Sequence, residues 1–273
     1  MKTFTARRWI LSTATVLAGA ALGLAWQLGR MALQPTAVYS GLLLLLLVLA
    51  LAFFNVRKQV PFLPLWNAST WLQVHIYLGW LAVLVFILHT SGRLPDGRLE
   101  ILLTLAFAGV TASGAFGLWI SRRLPSRLAR SGESLVYERI PALRHALHQE
   151  AVDLVRAAEA EAQSTSLGDF YARELHRYFT RVPRLLSPLA GEDVVHHRVS
   201  RELVALLRYL DKRETVFAER LAGLLETKRN LDFQYASQRL LKVWLFVHLP
   251  LTYALLVLGA AHVWLAVQYG ARF

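Results

Sequence analysis

Hydrophobic positions in this chain gather into long uninterrupted runs at roughly 9–28, 38–55, 71–90, 101–120 and 243–268. Each keeps about 18 or more residues free of Asp, Glu, Lys and Arg at its centre, and roughly 20 residues of helix cross a hydrocarbon layer of about 30 Å. Between the fourth and fifth runs the pattern changes. Residues 121–242 are polar overall, yet Leu203, Leu206, Leu207 and Leu210, then Phe217, Leu221, Leu224 and Leu225, recur at helix spacing. Ser166 with Asp169 three residues later suggests a capping box that opens a helix through Arg181. The stretch RVPRLLSPLAGED, with Pro183, Pro188 and Gly191, reads as a loop. No alternating strand pattern is present. The predicted architecture is all-α: a five-helix transmembrane bundle, with helices 1–4 in residues 1–120, a helical insert over 121–242 and helix 5 in 243–273.

Composition sharpens this reading. The 273 residues are 55% hydrophobic, which is a membrane composition. Trp9, Trp26, Trp66, Trp71, Trp119, Trp244 and Trp264 stand near run ends, as interfacial tryptophans do. Lys2, Arg7 and Arg8 before the first run also fit a signal peptide, but a run of about 20 residues is long for one, and we read it as a retained helix. The absence of cysteine excludes disulfides, cysteine-held iron–sulfur clusters and covalent c-type haem.

Charge gives orientation. The formal net charge is +12, and residues 121–242 hold 21 basic and 16 acidic residues, leaving +7 to flank the spans. Lys2, Arg7 and Arg8, then Arg57 and Lys58, then Arg122, Arg123, Arg127 and Arg130 outweigh Arg30, Arg93, Arg98 and Arg272 on the alternate side. By the positive-inside rule the N-terminus and the insert are cytoplasmic and the C-terminus is outside. The Ala-, Leu- and Arg-rich usage suggests a bacterial inner membrane. The basic excess favours anionic lipid as a partner. Nucleic acid is not expected, because no binding motif accompanies the charge. Neither GxGxxG nor a P-loop is present, so no nucleotide site is signalled.

Within the runs the ionisable exceptions are histidines. HIYLGWLAVLVFILH, residues 75–89, and HLPLTYALLVLGAAH, residues 248–262, each begin and end with one. Fourteen residues fall about 40° short of four whole turns, so His75 and His89 share a face about 21 Å apart along the third helix, and His248 and His262 repeat this on the fifth. Both helices run from inside to outside. His75 therefore meets His248 near the cytoplasmic surface, and His89 meets His262 near the outer one. Two imidazoles alone make a poor zinc site, and the spans offer no carboxylate or thiolate to complete one. A haem brings its other four ligands with it. Gly79 and Gly259 fall within about 40° of the histidine faces and would let a flat ring approach; glycine also packs helices together in membranes. Arg57, Lys58 and Arg93 are candidate partners for haem propionates, although the positive-inside rule accounts for them too. His145 with His148, and His196 with His197, could join a metal site, but each pair lacks carboxylate or thiolate partners at known spacing, and we read them as surface histidines.

The H-x13-H pattern repeated on the third and fifth spans resembles the two-haem membrane module of ferric reductases and NADPH oxidases, and respiratory cytochrome b has a similar paired arrangement. The resemblance covers about half of the chain. It implies that His75, His89, His248 and His262 are axial ligands of two non-covalent b-type haems, and that the chain is an electron-transfer subunit of an oxidoreductase. Unlike those families, this sequence ends at Phe273 with no flavin or nicotinamide domain, and carries the 121–242 insert. The expected donor is a redox protein docking on the insert or a membrane quinol, with an electron acceptor at the outer face. Two alternatives stay open: a quinol- or quinone-reactive cytochrome b anchor of a respiratory complex, and a haem-free transporter or structural membrane protein.

Overall fold

The computed structural model describes residues 4–56, 68–124, 136–162, 165–190 and 194–269. Lys2, Arg57, Lys58, Trp66, Arg127, Arg130 and Arg272, which carry parts of the charge and tryptophan patterns, lie outside the described residues. Those described are helical with connecting turns, and no strand occurs among them. The long helices are α1 (Phe4–Met31), α2 (Thr36–Val56), α3 (Ala68–Thr90), α4 (Arg98–Arg123), α5 (Ile140–Ala162), α8 (Val194–Leu206) and α9 (Lys212–Tyr269). Two short ones, α6 (Ser166–Phe170) and α7 (His176–Thr180), flank a π-turn at Tyr171–Leu175. Among the described residues five helices, α1 to α4 and α9, are long and apolar enough to cross a membrane. Residues 242 and 243 are consecutive within α9, which also continues through Pro250.

The chain forms two compact units, Met1–Leu118 with Phe246–Phe273, and Trp119–Leu245. The first has a core of Leu47, Ala82, Val85, Ala106, Phe107 and Leu255. Its outward side chains stay uncovered: Leu24, Leu46 and Leu105 are each 63% exposed and Val257 70%. Water would penalise so many bare apolar groups and hydrocarbon would not, so the first unit is suited to lipid as its solvent. Helix α1 is tied to α3 through Tyr77, whose hydroxyl lies 2.9 Å from Ser12 Oγ and donates to the Arg8 carbonyl at 3.2 Å. At the end of α3, Gly92 takes φ +69° and its N–H reaches the Ile87 carbonyl at 3.2 Å, which stops the helix and leads the chain out at Arg93.

The second unit has a core of its own. One stripe of α5 (Ile140, Leu147, Ala151, Val155, Ala158) packs with Phe170, Leu175, Phe179, Val199 and the predicted Leu203, Phe217, Leu221 and Leu225. The other predicted leucines, 206, 207, 210 and 224, pack against its edge. Thr165, not Ser166, occupies the N-cap position of α6, and the helix expected through Arg181 is interrupted by the π-turn and ends at Thr180. A charged clasp joins this core. Asp232 on α9 receives Lys228 of the same helix and Arg144 of α5, the latter at 2.8 Å. Arg144 and Lys228 also donate to the Arg181 carbonyl just past α7. Lys228 is fully buried, and its ammonium sits 5.4 Å from the Tyr178 ring centroid, where the ring's π-face offsets part of its lost hydration.

Candidate functional site

The membrane-type unit brings the four span histidines together in the two pairs that spacing suggests. His89 of α3 and His262 of α9 face each other with ring centroids 6.3 Å apart and ring planes at 87°. His75 and His248 lie within electrostatic reach of each other one level away. A metal placed midway between two imidazoles, about 2 Å from each near nitrogen, puts the ring centroids roughly 6 Å apart. The centroid separation of the first pair matches that figure.

Helix α2 fixes the His89 ring. Its Nδ1 lies 3.0 Å from the Ala37 carbonyl and 3.3 Å from Ser40 Oγ. The carbonyl can only accept, and Ser40 spends its own proton on the Thr36 carbonyl at 2.7 Å, so Nδ1 carries the ring hydrogen. That leaves the Nε2 lone pair free to bind, the arrangement that orients metal-ligating histidines generally. Gly41 completes the seat. A Cβ added there would stand 2.9 Å from His89 Cε1, closer than carbon atoms pack. On the other level, His248 Nδ1 and Ser113 Oγ of α4 share a hydrogen bond of 3.2 Å. A Cβ at Gly114 would touch the same ring at an ordinary 3.7 Å. The Thr252 hydroxyl, 2.9 Å from the His248 carbonyl, adds a backbone bond beside Pro250.

His89 and His262 open onto a cavity of about 630 Å³ between α2, α3, α4 and α9. That is within the range of sites for sizeable organic ligands. Its wall includes Phe86 and Phe107, stacked with centroids 4.3 Å apart and planes at 10°. Gly259 also lines it, and a Cβ there would meet nothing within 4 Å. Gly79 likewise faces open space but does not line this cavity. The rim carries Arg93 beside Asp96 and Glu100, so the cation expected to meet an anionic ligand has two carboxylates for company.

Among the described residues no group of three or more His, Cys, Asp or Glu is placed to share a metal. His145 and His197 are exposed, as expected of surface histidines, but His196 is not. It is 6% exposed, with Tyr178 Oη at 3.0 Å and Glu226 Oε2 at 3.6 Å. Its position on the inner face of α8 buries it, and the His-His doublet alone gave no sign of that.

Sequence reasoning missed the residues that seat the rings: Ala37, Ser40 and Gly41 on α2, and Ser113 and Gly114 on α4. On α2 the available signal was the cluster of small or hydroxyl-bearing residues at i, i+3 and i+4 within an otherwise bulky apolar run, and on α4 the small-residue stretch from Ala106 to Gly117, both marks of close helix approach. No protein-family model, curated protein or solved structure matches the chain.

Proposed function

We propose that this chain carries electrons across a membrane through two b-type haems, one held by His75 and His248 and the other by His89 and His262. The observation that carries the proposal is the His89–His262 pair: two imidazoles at metal-bridging separation, one with its tautomer set, facing an apolar cavity. Haem, when bound, supplies one-electron chemistry. His89 would hold the group through Nε2, with Nδ1 bonded to α2, and Phe86, Phe107 and Gly259 line the cavity that would receive it. Arg93 at the rim is the candidate partner of a propionate; Arg57 and Lys58 hold that role for the other haem.

About 21 Å of α3 separates the two histidine levels, so each haem serves one half of the bilayer. With the N-terminus cytoplasmic, His75 and His248 would hold a haem toward the inner side, and His89 and His262 one toward the outer side and its electron acceptor. A membrane potential negative inside favours that direction by about 2.3 kcal/mol per 100 mV for each electron. The donor is a redox protein docking on the helical insert, and the setting is a bacterial inner membrane.

Purified chain reconstituted in liposomes with ferricyanide trapped inside tests this. Dithionite added outside should reduce the trapped acceptor through protein-bearing vesicles, and the rate should collapse in the His89→Ala and His75→Ala proteins alike. Equal rates in all preparations would contradict the proposal. A quinone-reactive anchor is the second reading, favoured by the largely apolar wall of the cavity beside the His89–His262 pair. Haem reduction by quinol, with no response to any soluble donor, would select it.

A further inference from the structure

The second unit holds a donor cluster that the electron path does not use. His148 of α5 and Tyr171 at the start of the π-turn meet through Nε2 and Oη at 2.7 Å. The His176 ring stands 5.6 Å from that of His148 and 6.1 Å from that of Tyr171, centroid to centroid. The π-turn makes this possible. Residues five apart on an α-helix point about 140° away from each other. Here the His176 N–H bonds the Tyr171 carbonyl across five residues, and the wider turn brings both side chains round toward His148. Such single π-turns recur at functional sites because they re-aim side chains at a cost in helix geometry. Phe179 also stacks with the His148 ring, centroids 6.2 Å apart, and helps to hold it in place. His176 is exposed while His148 and Tyr171 are half-buried, so solvent reaches the cluster.

We propose that His148, His176 and Tyr171 form a site for a divalent transition metal of tetragonal preference, copper(II) before others. Two donors 2.7 Å apart, each about 2 Å from a metal, subtend roughly 80° at it, close to a right angle and far from the ~109° of tetrahedral zinc. Two imidazoles and a phenol are an N,O donor set, which copper(II) accepts in that geometry and binds most tightly in the divalent series. On binding, the metal replaces the hydrogen shared between Tyr171 and His148. One proton leaves to solvent, the phenolate and two neutral imidazoles remain, and water fills the position beyond exposed His176. The phenol must lose its proton to bind, and it is the weakest of the three donors. The site has no carboxylate or thiolate, and its affinity falls below that of structural zinc centres.

The test uses untagged full-length chain in detergent, stripped with EDTA and titrated with copper(II) chloride. One equivalent should bind, with an electron paramagnetic resonance spectrum split by two nitrogens. His148→Gln and His176→Gln should each weaken binding tenfold or more, and Tyr171→Phe should weaken it less while removing the phenolate-to-copper absorption band. Copper held with no nitrogen splitting in the wild-type chain would overturn the proposal without reference to any variant. So would equal binding by the His176→Gln protein, which would make the metal an adventitious surface ion only.

Discussion

His89 and His262 hold their imidazole planes at 87° to each other with centroids 6.3 Å apart. If both rings bind one iron, their mutual angle sets the ligand field at the metal, because the protein tunes a haem through the identity and orientation of its axial ligands and their outer hydrogen bonds. Near-perpendicular imidazoles leave the iron's lower orbitals almost degenerate. The oxidised protein should therefore show a highly anisotropic low-spin resonance that His89→Ala or His262→Ala abolishes. An ordinary rhombic signal as the only low-spin species would mean that the rings turn parallel when the group binds.

Gly41 tests the seat independently of the ligands. Its Cα approaches His89 so closely that an added methyl carbon falls 2.9 Å from Cε1. Overpacking of this kind costs about 1–3 kcal/mol, and here it acts on the ring itself. Gly41→Val should lower occupancy of the His89–His262 haem tenfold or more and leave the other haem in place. Gly114→Ala, with 3.7 Å of clearance from His248, should change neither by more than twofold. Parallel loss of both haems in Gly41→Val would indicate general misfolding, which pyridine haemochrome content beside circular dichroism would reveal.

In the second unit the clasp around Asp232 makes a stability prediction. Removing the carboxylate takes the counter-charge from fully buried Lys228 and from Arg144, which keep the Arg181 carbonyl. Breaking one partner of a buried ion pair costs about 3–5 kcal/mol. Asp232→Ala should expose the second unit to trypsin at concentrations that leave the wild type intact. Arg198→Ala, which breaks a surface pair with Glu174, should cost under about 1 kcal/mol. Matching protease sensitivity in the two variants would remove the clasp from the account.

Deleting residues near 136–230 behind a short linker asks what the insert is for. Its mixed charge can steer a redox partner, an encounter that salt weakens. Both haems should survive the deletion, and reduction by the cell's native donor should be lost. Unchanged reduction would assign the insert no role in docking. Rapid reduction of the intact purified chain by NADPH alone would contradict the expectation that the insert docks a separate donor.

The apolar runs were legible because a 20-residue hydrophobic segment has few alternatives, and the histidine spacing was legible because helix periodicity converts it directly into a shared face. The leucines from 203 to 225 named their own core for the same reason. What surrounds each ring was not legible. Nothing in the sequence pairs Ala37 with His89 or Ser113 with His248, since those contacts depend on which helices become neighbours. The π-turn at Tyr171–Leu175 was equally hidden: one extra residue per turn leaves the apolar pattern nearly unchanged while it rotates Tyr171 and His176 onto one face. Ser166 and Asp169 matched a capping pattern, yet the helix begins one residue earlier, with Thr165 at the cap.

The central claim is that the four span histidines serve two haems in the pairs His75–His248 and His89–His262. A redox titration of the Soret band in the wild type and the four single His→Ala proteins tests it most directly. Two components are expected in the wild type, with His75→Ala and His248→Ala losing the same one and His89→Ala and His262→Ala losing the other. A folded wild-type chain without a Soret band, or a loss in His75→Ala that matches His262→Ala, would contradict it.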